Sequence, residues 1–158
     1  MRSPNNKGTA VLEFLAAGIV LGALIFSLIQ CALLWAGQGA VETASHFAAR
    51  TFALTARTDC RRAREAALAE AMLLCRNRPG GKSAGAAMTS LDFSGNGTGS
   101  TPLKANPGDA YRVSLTHWVE LAVPWIDRLL FSLASCPKTR IGDRFYLGLQ
   151  ATRWVTVE

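Results

Sequence analysis

Glu13 is the residue whose chemistry most needs an explanation, because it is a carboxylate at the edge of a long apolar run. The run, from Phe14 to Trp35, reads FLAAGIVLGALIFSLIQCALLW and holds 22 residues without a charge. An ionisable side chain near the centre of a bilayer costs about 3 kcal/mol, so such a residue usually has a specific partner. Two interpretations stay open: Glu13 lies among lipid headgroups, or it pairs with a positive charge.

The element that must hold Glu13 is predicted to be a membrane-spanning helix over 14–35. Crossing a bilayer takes roughly 20 apolar residues, whereas the apolar region of a cleavable secretory signal has about 7–15. A buried core helix is the alternative, but a helix that is apolar on every side needs a large protein around it. The 158-residue chain offers little to surround it, which favours the membrane.

The distribution of charge places the start of the chain in the cytoplasm. Lys and Arg number 17 against 11 Asp and Glu, a net charge of +6, and the mean hydropathy is +0.17. Arg2 and Lys7 precede the apolar run, and the next basic residue is Arg50. Because basic residues favour the cytoplasmic side of a span, the rest of the chain is predicted to lie outside the cytoplasm.

The residues around Glu13 also form a motif. The chain from Asn6 to Phe14 reads NKGTAVLEF. It resembles the N-terminus of class III (type IV) prepilins, in which a basic leader ends in Gly and is followed by four residues, a Glu and an aromatic residue. The resemblance implies that a prepilin peptidase cuts between Gly8 and Thr9 and leaves the apolar helix attached. The new ammonium of Thr9 would then pair with Glu13 of a neighbouring subunit in a filament.

Within that class, the stretch from Lys7 to Arg57 is similar to the TadE-like minor pseudopilins of tight-adherence (Flp/Tad) pili. These have a G-x-x-x-x-E-F start, an apolar helix, an Ala-rich amphipathic run and a small extracytoplasmic domain that ends in a strand. Thr9 departs from the large apolar residue common at this position in general secretion pseudopilins. The resemblance implies a structural subunit of a type IV-like pilus or of its assembly complex, which supports adhesion.

The same resemblance implies where the protein acts and with what. It predicts a bacterial inner-membrane protein with a cytoplasmic N-terminus and a periplasmic C-terminal domain, which can enter an extracellular pilus. The implied partners are other pilin subunits, the assembly platform, the prepilin peptidase and the membrane. No cofactor, nucleic acid or small-molecule substrate is expected. An uncleaved single-pass inner-membrane protein with a periplasmic binding domain is the alternative.

Gly18 and Gly22 form a G-x-x-x-G pair within the apolar run. Glycines at this spacing let two helices approach closely in a membrane, although the spacing is also common by chance in apolar helices. They are predicted to be helix-packing residues.

Beyond the apolar run, the sequence predicts more helix. After a leader over 1–8, one helix is expected over 9–57, since no proline or turn cluster interrupts its second half. Ala44, Ala48 and Phe52 should form one row along a face of this helix. Thr58 and Asp59 offer caps to a second helix, roughly Cys60 to Asn77.

The rest of the predicted extracytoplasmic domain, 58–158, contains a small antiparallel sheet. Apolar residues alternate over Tyr111–Val123 and Phe145–Val157, with His117 and Arg153 as exceptions. A short helix or a crossover is predicted over Pro124–Arg144. A loop is predicted over 79–109, because this segment is rich in Gly, Pro, Ser and Thr. The fold class is therefore α+β: a long N-terminal transmembrane helix of the pilin type, followed by a small ectodomain.

Several polar and aromatic surfaces are predicted on this domain. Glu42, His46 and Arg50 form a helical row that faces solvent or another subunit. A basic cluster faces solvent or lipid headgroups and comprises Arg57, Arg61, Arg62 and Arg64. Trp118 and Trp154 lie opposite the apolar rows of their strands, where they are either covered by the second helix or the glycine-rich loop, or bind a partner.

The four cysteines carry no metal-binding spacing, so no metal site is predicted. Cys31 lies in the apolar run. Cys60 and Cys75 lie about 22 Å apart on the predicted helix, too far for a disulfide, which needs Cα atoms within about 7 Å. A disulfide of Cys136 with Cys60 or with Cys75 is expected instead.

Catalysis is not predicted, since no nucleophile, acid pair or metal-ligand motif is recognisable. The enzymatic alternative is a membrane-anchored hydrolase that uses His117 and Glu120. It would require these two side chains to meet in one site.

Overall fold

The computed structural model describes residues 7–76, 88–95 and 105–158. Its elements in chain order are α1 (Lys7–Thr55), α2 (Cys60–Arg76), β1 (Thr89–Gly95), β2 (Ala110–Glu120), α3 (Ile126–Leu133), β3 (Lys138–Ile141) and β4 (Arg144–Thr156). The predicted α+β class, with a long apolar N-terminal helix and a small antiparallel sheet, is confirmed.

Helix α1 has 49 residues and is therefore about 73 Å long. Its second half forms an antiparallel hairpin with α2, because only four residues connect them. Asp59 begins α2 as predicted: its Oδ1 accepts hydrogen bonds from the N–H groups of Arg61 (2.9 Å) and Arg62 (3.3 Å). Two complementary rows of small side chains bring the helices together, namely Ala44 and Ala48 on α1 and Ala63, Ala67 and Ala71 on α2.

The sheet has the strand order β1-β2-β4-β3, and every pair is antiparallel. Alternation along β2 turns one face, with Tyr111, Val113 and Leu115, towards the helices, where all three are buried. In register, Leu91 of β1 and Ala151 of β4 flank Leu115 on that face. The helix hairpin thus covers one face of the sheet, and the apolar rows read from the sequence form the core.

The structure corrects the loop predicted over 79–109, because β1 lies within it. Leu91 and Phe93 pack against the core as partly buried residues, and the strand pairs along β2 from Thr89 to Gly95. The short strand was hidden because it offers only two large apolar side chains amid a glycine-rich composition. The remainder of the predicted loop, apart from Met88 and 105–109, lies outside the described residues.

The connection between the two long strands holds the predicted short helix, α3, and also a strand, β3, that was not predicted. Strand β3 joins β4 through a two-residue turn in which Gly142 has φ +61°, a left-handed value that glycine adopts without strain. Helix α3 packs against α1 and β4, and the rings of Phe131 and Phe145 lie 4.8 Å apart.

Candidate assembly and membrane site

The first half of α1 lies outside the folded domain. From Thr9 to Ile29 no described side chain is buried, and its large apolar residues are exposed on every side of the helix. An 18-residue window of α1 is long and apolar enough to cross a membrane, and none of it is buried. A buried core helix is therefore wrong for this segment.

Glu13 is an exposed side chain on this uncovered helix, one turn after Thr9. Residues four apart share a helix face, so Thr9 and Glu13 lie one above the other. Among the described residues Glu13 has no ion-pair partner. The predicted cleavage position, Gly8, belongs to the first turn of α1, and Phe14 follows with its ring exposed.

The open surface extends to Gly18 and Gly22. A Cβ added at either glycine would meet no atom within 4 Å. The space beside them is wide enough for another helix to reach the backbone, as the predicted helix-packing role requires.

Contact between α1 and the domain begins at Gln30, inside the span predicted over 14–35. Gln30 is fully buried, and its Oε1 accepts a 3.0 Å hydrogen bond from the backbone N–H of Val123. Two turns later, Gln38 donates from Nε2 to the carbonyl of Gln150 at 3.2 Å. The run in which no described side chain is buried therefore ends at Ile29, although Trp35, the last residue of the predicted span, is again exposed.

Sequence reasoning missed this boundary, although a signal was present. Ser27 and Gln30 are the two polar residues of the run. Ser27 satisfies its hydroxyl within the helix by donating to the carbonyl of Ala23 at 2.8 Å. Gln30 instead takes its partner from outside the helix, at Val123. Because buried polar groups need hydrogen-bond partners, a glutamine at the end of an apolar run is a signal for such a contact.

Helix α3 carries a second exposed apolar surface, the α3 row, formed by Trp125, Leu129 and Leu133. Their exposures are 86%, 55% and 73%. Trp125 immediately precedes the helix at φ 73° and ψ −44°, and it is the only non-glycine residue with positive φ in the described part of the chain. Such backbone strain costs on the order of 1–3 kcal/mol and concentrates at functional sites.

Two of the four arginines of the basic cluster at the start of α2 pair with neighbouring acids. Arg61 Nε lies 3.2 Å from Glu65, and Arg62 Nε lies 3.7 Å from Asp59. Arg64 lies over the ring of Phe93, 5.1 Å from its centroid. Arg57, Arg61 and Arg62 are exposed, as predicted for a solvated patch, whereas Arg64 is half-buried. The row of Glu42, His46 and Arg50 is exposed as well.

The hydrolase alternative is not supported by the geometry of its two residues. His117 is fully buried towards the helices, with Nδ1 2.8 Å from Thr89 Oγ1. Glu120 accepts two hydrogen bonds from Arg144, at 2.8 and 3.0 Å, on the other face of β2. The structure does not bring them together. No cluster of potential metal ligands occurs within 7–76, 88–95 and 105–158.

The two strand tryptophans differ in their surroundings. Trp154 is exposed on the sheet face that the helices leave open. Trp118 is half-buried against Gly148, where an added Cβ would come within 3.3 Å of the Trp118 ring and 3.2 Å of Pro137. The second helix covers the other face, so it shields neither ring.

The expected disulfide of Cys136 is wrong: no disulfide forms among the described cysteines. Cys60 and Cys75 belong to α2, which contacts β1, whereas Cys136 immediately precedes Pro137 and β3 at the opposite edge of the sheet. Two strands separate these edges, a distance of roughly 14 Å. The sequence contained no signal that fixed the order of the edges.

We expect the cysteines to differ in reactivity. Burial raises the pKa of the Cys60 thiol, which also donates to the carbonyl of Ala56 at 3.3 Å. In variants that retain a single cysteine, a polar maleimide should label Cys136 in the folded protein and Cys60 at least about tenfold more slowly, because little thiolate is available. Unfolding in urea should remove the difference. Equal rates in the folded state would contradict the packing of α2.

Comparison of the chain with known protein families, with curated proteins and with solved structures finds no match.

Proposed function

We propose that this protein is a minor pilin-like subunit, a pseudopilin, that is cut after Gly8 and built into a type IV-like (Tad/Flp) pilus or its assembly complex. The observation that carries the proposal is the division of α1 at Gln30. One half is uncovered, apolar and marked by a single carboxylate, and the other half is the core of a folded domain. This is the architecture that a subunit needs if it is first held in a membrane and then packed by its helix.

The length of the uncovered half fits a bilayer. Thr9 to Ile29 comprises 21 residues, or about 31 Å of helix, against roughly 30 Å for a hydrocarbon core. Glu13 then lies about 25 Å from Gln30, a few ångströms inside the apolar layer. At that depth an ionised carboxylate loses solvation unless it has a partner, which favours the charge-pair interpretation over the headgroup one.

Cleavage would supply that partner. Removal of the leader leaves an α-ammonium on Thr9, so each mature helix carries one positive and one negative charge a single turn apart. Two helices staggered along their axes can bring Glu13 of one against Thr9 of the next, and the space beside Gly18 and Gly22 permits a close approach. Each charge then has a partner in the apolar layer.

The proposed role is structural. The subunit would be held in the bacterial inner membrane with its domain in the periplasm, and would then join other pilin subunits through the assembly platform to support adhesion. The alternative, an uncleaved single-pass protein with a periplasmic binding domain, shares the anchor but not the cleavage.

N-terminal sequencing after expression with and without a prepilin peptidase distinguishes the two. With active peptidase we expect the chain to begin at Thr9, and Gly8→Ala should leave most of it uncut, because the added methyl group hinders binding of the scissile bond. Gly18→Ala is the matched control: it makes the same change ten residues further along the helix and should be processed normally. A chain that still begins at Met1 or Arg2 beside active peptidase would refute the pilin proposal.

A further inference from the structure

Helix α3 presents some apolar side chains to the domain and others to solvent. Ile126 is buried and Phe131 packs on Phe145. In the α3 row, Leu129 and Leu133 lie four residues apart along the helix, and Trp125, whose backbone is not helical, immediately precedes it. The row is exposed, and no described residue covers it.

The position of α3 relates this row to the uncovered half of α1. Val123, three residues before α3, binds Gln30, the first residue of α1 that the domain buries. Helix α3 itself packs against α1. The α3 row therefore lies near the level at which the uncovered apolar surface of α1 ends, where Phe26 and Ile29 are exposed.

Both the side chain and the backbone conformation of Trp125 favour a contact outside the domain. Its φ of 73° is strained for a residue with a side chain, and its indole makes no cap to α3. No packing within the domain compensates for this strain, because the Trp125 ring is 86% exposed. Tryptophan is enriched at the boundary between hydrocarbon and headgroups, where its ring is buried and its N–H remains wet.

Cations flank the α3 row. Arg128 is exposed on α3 itself. Lys138 donates from Nζ to the carbonyls of Phe131 (2.9 Å) and Ala134 (3.1 Å), at the end of the helix. Among the described residues neither forms an ion pair with an acid. Basic side chains beside an apolar helical face are the arrangement that binds anionic lipid.

We propose that α3 is an interfacial helix that lays Trp125, Leu129 and Leu133 into the headgroup boundary of an anionic bilayer, the same bilayer that α1 crosses. This contact would attach the domain to the membrane at a second point, in addition to α1. This inference rests on the membrane anchor of the proposed function, but on neither cleavage nor filament assembly.

Quenching of tryptophan fluorescence by brominated lipid tests the contact. The full chain is placed in vesicles of phosphatidylethanolamine and phosphatidylglycerol, with or without bromine near the headgroup end of the acyl chains. In a variant that retains only Trp125, the other three tryptophans being changed to phenylalanine, we expect emission to fall about twofold in brominated vesicles. The matched control retains only Trp154, which is also exposed but on the open sheet face, and should change by less than about a tenth.

A third variant separates the failure of this inference from the failure of the anchor. Leu24→Trp in a tryptophan-free background reports on α1. If Leu24→Trp is quenched and Trp125 is not, the interfacial helix is wrong and the α3 row faces a protein partner instead. If neither is quenched, the membrane anchor fails and the proposed function fails with it.

A second measurement covers the case in which Trp118→Phe unfolds the domain. In the otherwise unchanged chain, Trp125→Phe should remove a quenched component that Trp154→Phe retains. Equal quenching in the two single variants would overturn the proposal.

Discussion

Replacement of Glu13 by glutamine is expected to abolish incorporation into filaments while cleavage and membrane insertion continue. Glutamine keeps the size of the side chain and removes the charge, so an ammonium on Thr9 of the neighbouring subunit would be left unpaired in the apolar layer. Breaking a buried ion pair on one side costs about 3–5 kcal/mol. That corresponds to a loss of at least about a hundredfold in each subunit contact.

The measurement compares the sheared pilus fraction with the membrane fraction by immunoblot. The variant should be cut after Gly8 and should accumulate in the membrane, as should Glu13→Ala. Glu42→Gln is the matched control, since this carboxylate lies on the same helix but beyond Gln30, where it accepts a 3.2 Å hydrogen bond from Gln38. It should assemble normally. Normal fibres from Glu13→Gln would refute the ion pair between Glu13 and the Thr9 ammonium of the neighbouring subunit.

Phe52→Ala is expected to produce the largest loss of stability in the domain. Among the described residues Phe52 is the largest fully buried side chain, and its ring centroid lies 4.5 Å from that of Phe93 and 5.3 Å from that of Tyr111. It joins α1 to two strands at once. Truncation of a buried phenylalanine lowers the free energy of unfolding by about 3–5 kcal/mol, since a cavity remains.

Urea unfolding in a mild detergent, followed by near-ultraviolet circular dichroism, measures this loss. Phe47→Ala on the same helix is the control, because Phe47 is 42% exposed and its truncation leaves no cavity. We expect it to change the free energy of unfolding by less than about 1 kcal/mol. Equal effects of the two substitutions would show that α1 does not pack on the sheet as described.

Patterns that depend on one element alone predicted the structure well. The alternation that begins at Tyr111 and the cap at Asp59 each lie within a few consecutive residues, and both are confirmed. The α1 face formed by Ala44, Ala48 and Phe52 is buried as its spacing indicated. Local spacing determines which side of an element is apolar, so these parts could be read from the sequence.

Features that depend on two distant segments were not predicted. The end of the uncovered run is set by Gln30 meeting Val123, 93 residues away. The prediction of a Cys136 disulfide was wrong for the same reason, because the distance from α2 to Cys136 depends on which strands form the sheet edges. Strand β1 has only two large apolar residues of its own, and it pairs with β2 over its whole length, from Thr89 to Gly95. Glu13 is exposed on α1, and its pairing across subunits stays a prediction.

The unbroken path of α1 through Gln30 has a mechanical consequence. The hydrogen bonds of one helix run from Thr9 to Thr55 without a joint, and Phe52, near the far end, is locked into the sheet. A force applied along the uncovered half of α1 is therefore transmitted to the domain through the continuous helix. A rotation of α1 about its axis is transmitted in the same way. In the proposed membrane-held state, a force that lifts the helix would lift and turn the whole domain with it.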